Sequence, residues 1–198
     1  MLDNLKKYNV ILASGSPRRK QLLEGLGIEF RQWVLDGIDE SYPDTLPAET
    51  VAEYIAHKKS DAYLSKMSAN DLVITADTIV VVDDGNGRSI ILGKPHGRDE
   101  AVAMLRMLSG KTHKVITGCC ITTKDRQRAF SVSTDVTFKR LSDEEIEYYV
   151  DTYNPYDKAG AYGVQEWIGY IGVTGLSGSY FNVMGFPIQR IYTELAEF

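Results

Sequence analysis

The segment Ala13-Ser14-Gly15-Ser16-Pro17-Arg18-Arg19 joins a strand-like run to a helix-like one. A loop between strand and helix is a recurrent ligand position in open α/β sheets. Free N–H groups at a helix start attract anions, and small Ser and Gly residues let a phosphate approach the backbone. Arg18 and Arg19 oppose the helix macrodipole, a penalty that a bound polyanion reverses; a solvated helix face is the competing reading. The loop lacks the G-x-x-x-x-G-K-[ST] pattern and is no Walker-type site. In Thr75-Ala76-Asp77-Thr78, an aspartate closes an apolar run, where a carboxylate can bind Mg²⁺, take a proton from water, or simply cap a strand end. Lys58-Lys59 is a phosphate contact or a pair of snorkelling side chains. Lys94, between Gly93 and Pro95, is a phosphate contact or a turn residue. In Asp157-Lys158-Ala159-Gly160-Ala161-Tyr162-Gly163-Val164-Gln165, the small residues allow close backbone approach and Gln165 carries an amide able to read a base edge. A tight packed loop is the alternative. Asp39-Glu40 and Asp83-Asp84 read as solvated acids.

These residues need elements to hold them. Asn9–Ala13 is a short buried strand, and residues 17–26 form a helix with Ser16 as N-cap, Pro17 at N1 and Gly27 just past the end. Ile28–Val34 reads as a second strand. Ala48 to about Lys66 is a helix with Val51, Ile55 and Ala62 on its apolar stripe. Leu72–Ala76 and Thr78–Val82 are strand-like, and Asp84-Gly85-Asn86-Gly87 turns the chain into a return strand at Ser89–Leu92. Asp99–Leu108 is a helix. His113–Thr123 and Ala129–Arg140 are long strands around a polar turn. Ser142-Asp143-Glu144-Glu145 is a capping box that opens a helix to about Tyr153. Two short strands and a helix from Pro187 complete the chain. Alternating helices and strands early, with hairpins in the middle, predict an α/β fold with a mixed sheet.

Composition narrows the partners. The chain has 198 residues, enough for one domain with a large core. With 22 Lys+Arg against 27 Asp+Glu there is no global basic field, so a nucleic acid is not the expected partner and an anionic ligand is small. Cys119 and Cys120 are adjacent and read as small hydrophobes in a strand, in a reducing compartment. No apolar run approaches the roughly 20 residues of a membrane helix, and the N-terminus lacks a signal-peptide core. The expectation is a cytoplasmic protein without membrane contact. Trp33, Tyr148, Tyr149 and Tyr180 are read as core in preference to interface.

Together, the Ala13–Arg19 loop, Ala76-Asp77-Thr78, Gly93-Lys94-Pro95, Leu108-Ser109-Gly110 with His113, and Asp157–Gln165 resemble, in order and spacing, the Maf family of nucleotide pyrophosphatases over about residues 9–190. The resemblance implies an elongated α/β fold, similar to inosine triphosphate pyrophosphatases: a single domain over 1–198 with a central mixed sheet and two lobes around a cleft. It implies cleavage of nucleoside triphosphates between the α and β phosphates, assisted by a divalent cation (Mg²⁺ or Mn²⁺), and a homodimer. By motif, Asp77 is the catalytic acid residue, as general base or metal ligand, with Glu40 near the metal. Ser14, Arg18, Arg19, Lys59 and Lys94 are phosphate contacts. Arg18, Thr78 and Gln165 resemble the specificity set of the branch acting on dTTP and UTP. The alternatives are a pyrophosphatase for 7-methyl-GTP or other modified purine nucleotides, and a nucleotide-binding regulator of cell division without useful catalysis. After Gln165 the family usually continues with glycine; here Glu166 and Trp167 follow, and Trp167 is read as packing or as a base-stacking residue.

Overall fold

Val10, Ile11 and Leu12 are buried on both faces of their strand, as expected where parallel neighbours lie on either side. The structure, a computed structural model, describes residues 2–198. Its strands are β1 (Asn9–Leu12), β2 (Arg31–Gln32), β3 (Asp71–Asp83), β4 (Ser89–Leu92), β5 (Thr112–Thr122), β6 (Gln127–Phe138) and β7 (Val173–Ser177). Its helices are α1 (Pro17–Glu24), α2 (Ala48–Leu64), α3 (Arg98–Leu108), α4 (Asp143–Tyr153), α5 (Trp167–Gly172), α6 (Tyr180–Val183) and α7 (Ile188–Leu195). The sheet runs β2-β1-β3-β5-β6-β7, with β4 paired to β3. β1 is parallel to β2 and β3, whereas β3–β4 and β6–β7 are antiparallel, so the sheet is mixed. Among the described residues no helix is long and apolar enough to cross a membrane.

The chain forms two compact units, with boundaries inside β3, β5 and β6. Among the described residues the first comprises 2–77, 117–132 and 185–198. Val10, Leu12, Leu72, Ile74 and Phe186 pack on one side of its strands, and Ile11, Val73 and Tyr63 on the other. α2 lies close enough to β5 that a Cβ on Gly118 would stand 2.2 Å from the Ala52 carbonyl carbon. Only glycine admits that approach. The second unit comprises residues 78–116 and 133–184, with a core that includes Val80, Leu105, Phe138, Tyr149 and Ile168. Each such buried side chain contributes about 1.5–3 kcal/mol of burial free energy.

Local signals between near neighbours hold. Ser16 caps α1, its Oγ accepting from Arg19 N at 3.5 Å, with Pro17 at the helix start. Ser142 and Glu145 form the full capping box of α4. The 84–87 turn joins β3 to β4, with Asp83 and Asp84 accepting turn N–H groups.

Four expectations are corrected. Leu72–Ala76 and Thr78–Val82 are parts of one thirteen-residue strand, so Asp77 sits mid-strand and not at an end. The polar pair Asp77-Thr78 reads as a break, but the ladder continues through it. The strand expected over 28–34 contracts to Arg31–Gln32, because four-residue β1 offers few partners; Ile28 and Phe30 pack against the core instead. Only one strand, β7, follows residue 155, and α5 and α6 occupy what glycines made look like turns. Within α5, a Cβ on Gly169 would stand 1.9 Å from the Val164 oxygen, so glycine there permits packing rather than ending the helix. Tyr149 is core as expected and Trp33 packs edge-on against Tyr63, but Tyr148 and Tyr180 are exposed.

Candidate active site

In the first unit, the loop after β1 turns into α1 and sends the Arg19 side chain back across the strand ends. Its Nε donates to the Gly185 oxygen at 2.8 Å, and its Nη1 to the Ala76 oxygen at 2.8 Å and Ser14 Oγ at 3.3 Å. Burial pulls the guanidinium's pKa below its ordinary value, and the nearby Asp77 charge pulls it back. Arginine remains protonated under such shifts. Arg19 therefore braces two backbone carbonyls and the Ser14 hydroxyl, and fixes the residue that precedes Asp77. Ser14 is buried; its Oγ also accepts from Ser16 N at 3.3 Å, and its carbonyl accepts from Gln32 Nε2 at 2.9 Å. Arg18 sits half-buried in the first turn of α1, close enough for its charge to act on Arg19.

Lys59 projects from α2 along the same row as the fully buried Ala52 and Ala56. Its Nζ lies 2.8 Å from Asp77 Oδ1 and 3.1 Å from Glu40 Oε2. The Lys59 and Asp77 side chains are each only 14% exposed, whereas Glu40 is open to solvent. One helix position earlier, Lys58 binds Asp39 Oδ2 at 2.7 Å and the Ser41 oxygen at 2.9 Å. Lys58 and the Ser41 donors hold the Asp39 carboxyl well below the usual carboxylate range. The acid pair Asp39-Glu40 thus docks rung by rung on the lysine pair.

Ser14, Arg19, Asp77, Lys59 and Glu40 therefore form one connected set, with Arg18 beside it. Thr78, Lys94 and Gln165 belong to the second unit. Thr78 is half-buried in β3 and Lys94 is exposed. Gly93, next to Lys94, accepts at its carbonyl from Gly160 N at 3.0 Å. Gln165 Oε1 is buried and has no hydrogen-bond partner. Trp167 packs edge-on against Tyr148.

Sequence reasoning left two features out. Gln32, on β2, ties the phosphate-loop candidate to the sheet edge, and its position in a polar pair gave no signal. Lys158 is almost fully buried and pairs with Glu166 at 3.1 Å and Asp157 at 2.7 Å. A lysine flanked by Ala159, Gly160 and Ala161 was the available sign, since small neighbours leave a long side chain little surface to reach.

A family model described as Maf-like protein matches residues 9–198. A protein of Phocaeicola vulgatus named dTTP/UTP pyrophosphatase is 60% identical over 195 residues, covering 98% of each chain. Relatives of the same name from Bacteroides thetaiotaomicron and Flavobacterium psychrophilum are 57% and 45% identical, over 98% and 94% of this chain and 98% and 92% of theirs. With five ordered motifs and a family match that runs to the last residue, the chain belongs to the Maf family.

Proposed function

We propose that the chain is a nucleoside triphosphate pyrophosphatase that favours dTTP and UTP. It cleaves between the α and β phosphates and releases the monophosphate and pyrophosphate. The observation that carries this reading is end-to-end identity of 55–60% with relatives named dTTP/UTP pyrophosphatase.

The chemistry asks for positioning and charge neutralisation, because a breaking phosphoanhydride gathers negative charge on its oxygens. In this reading Ser14 and the start of α1 supply neutral donors, and Arg18, Arg19, Lys59 and Lys94 supply positive charge. Asp77 orients the attacking water and accepts its proton, with Lys59 holding the carboxylate in place at 2.8 Å. Thr78 and Gln165 keep the base-selecting roles that the resemblance gives them.

Asp77 and Glu40 fit a divalent cation on chemical grounds, since the two carboxylates already converge on one cationic group, the Lys59 ammonium, within 3.1 Å. Two carboxylates suit Mg²⁺, which usually completes its shell with phosphate oxygens and waters. No group of three or more His, Cys, Asp or Glu gathers to cage a metal among the described residues. Asp77 and Glu40 would hold Mg²⁺ or Mn²⁺, which when bound neutralises phosphate charge and lowers the pKa of coordinated water.

The reading takes a nucleotide as partner, a homodimer as assembly and the cytoplasm as compartment. Purified protein incubated with Mg²⁺ and a nucleotide panel is expected to release pyrophosphate from dTTP and UTP. Orthophosphate alone, or no turnover, refutes the reading. A preference for 7-methyl-GTP moves the chain to the purine branch, and tight binding without turnover makes it a regulator.

A further inference from the structure

Glu166 stands at the centre of a network that the proposed chemistry does not use. Tyr149, fully buried on α4, donates its hydroxyl to Glu166 Oε2, and the same Oη accepts from Gly163 N at 3.0 Å. Lys158 Nζ approaches Glu166 Oε1 at 3.1 Å and donates to Asp157 Oδ1 at 2.7 Å. Burial, then the hydrogen bond to Glu166, pushes the Tyr149 phenol pKa up, so it stays a donor. The carboxylate thereby ties α4 and Lys158 to a single residue, and Tyr149 carries the tie on to the Gly163 backbone. The fit is close: a Cβ on Gly163 would stand 2.9 Å from Glu166 Cδ and 3.0 Å from Lys158 Cε.

Gln165 is the immediate neighbour. Its carbonyl accepts from Tyr170 Oη at 2.7 Å, and Glu166 N donates to the Gly163 oxygen at 3.0 Å. Its backbone is therefore pinned on both sides. Its side-chain Oε1 is buried without a partner, an acceptor held ready for an outside donor.

We infer that Glu166 is a positioning residue that fixes the Gln165 amide in one orientation, and that discrimination among pyrimidine bases depends on it. The inference rests on the proposed function. Uracil and thymine present an N–H donor between two carbonyl acceptors, whereas cytosine presents a ring acceptor beside an amino donor. A locked amide matches one pattern. An amide free to turn over matches both, so loosening the clamp costs selectivity before it costs chemistry.

The test measures pyrophosphate release from UTP, dTTP and CTP by the wild type and by Glu166→Ala, Glu166→Gln and Tyr149→Phe. Glu166→Ala is expected to raise KM for UTP and dTTP about tenfold, keep kcat within about twofold, and lower the UTP-to-CTP ratio of kcat/KM about tenfold. Glu166→Gln keeps an acceptor for Tyr149 and recovers part of that ratio. If Glu166→Ala fails to fold, Tyr149→Phe, which keeps the ring and removes one tie, is expected to lower the same ratio. An unaltered ratio, or an equal loss of kcat on every nucleotide, overturns the positioning role. A wild type that releases no pyrophosphate from UTP or dTTP overturns the functional reading itself, which the variants of an active wild type leave standing.

Discussion

Gly118→Ala tests whether the packing of α2 on β5 controls the candidate site. The added Cβ would stand 2.2 Å from the Ala52 carbonyl carbon and 2.3 Å from both the Ala52 oxygen and the Glu53 nitrogen. Ordinary contact begins near 3.4 Å. All three atoms are helix backbone, so no side chain can rotate away, and α2 must retreat by about 1 Å. Overpacking of this kind costs roughly 1–3 kcal/mol, and a backbone clash belongs at the upper end. For a chain of this size each kcal/mol lowers Tm by about 2–4 °C, so a drop of roughly 6–12 °C is expected by differential scanning calorimetry. Ala52 also lies about two turns before Lys59 on the same helix row. A retreat of 1 Å opens the 2.8 Å Lys59–Asp77 contact, and misplacement on that scale costs up to about 100-fold in turnover. Pyrophosphate release at a temperature where the variant remains folded reads that second effect. A variant with Tm within about 2 °C of the parent and full activity refutes the reasoning.

Asp77→Asn is expected to abolish turnover while circular dichroism stays native, since the amide still fits the strand; an active variant removes Asp77 from its role. Burial lowers the His113 pKa to about 4 from 6.5, with Asp135 opposing. The unfolded chain then takes a proton below pH 6.5 that the folded chain refuses until about pH 4. Stability is full above pH 6.5 and falls by up to about 3 kcal/mol as pH drops toward 4, a slope that His113→Gln should flatten in urea titrations. Cys119 is fully buried with its thiol pushed up to about 12, and burial also raises Cys120. Neither should react with iodoacetamide at pH 8 until the protein is unfolded, and rapid labelling of the native form would contradict their burial.

What the sequence made legible was local. The Ser16-Pro17 start of α1, the Ser142–Glu145 capping box and the 84–87 hairpin depend on residues a few positions apart, and each formed as read. The motif order is not local, and its site residues come from the family resemblance; what the structure adds is that Ser14, Arg19, Glu40, Lys59 and Asp77, from four separate segments, come into contact. Asp77 was misplaced at a strand end because polarity in a sequence cannot distinguish a break from a carboxylate whose partner arrives from a helix. Lys59 supplies that partner from eighteen residues away. The Tyr149–Glu166–Lys158 network was illegible on similar grounds: its members meet only after α4 and the 158–166 segment have packed.

The two lysine–acid rungs show why net charge misleads about the ligand. The chain carries −5 overall, yet its proposed substrate is a polyanion. Lys58 spends its charge on exposed Asp39, where screening leaves an ion pair with little net energy. Lys59 is held among small side chains between Asp77 and Glu40, both in reach of one nitrogen. Two carboxylates around one ammonium leave that cluster net negative, and Arg18 and Arg19 stand on α1 nearby as its counterweight. With both arginines counted the set is only slightly positive, far short of a triphosphate's charge, so a ligand that brings its own cation, as a metal-bound triphosphate does, is favoured over a bare anion. If so, chelating divalent metal with EDTA should weaken nucleotide binding as well as turnover, and calorimetric titration of Asp77→Asn with UTP, with and without Mg²⁺, separates the two effects. Equal affinity under both conditions would place the metal outside the binding step.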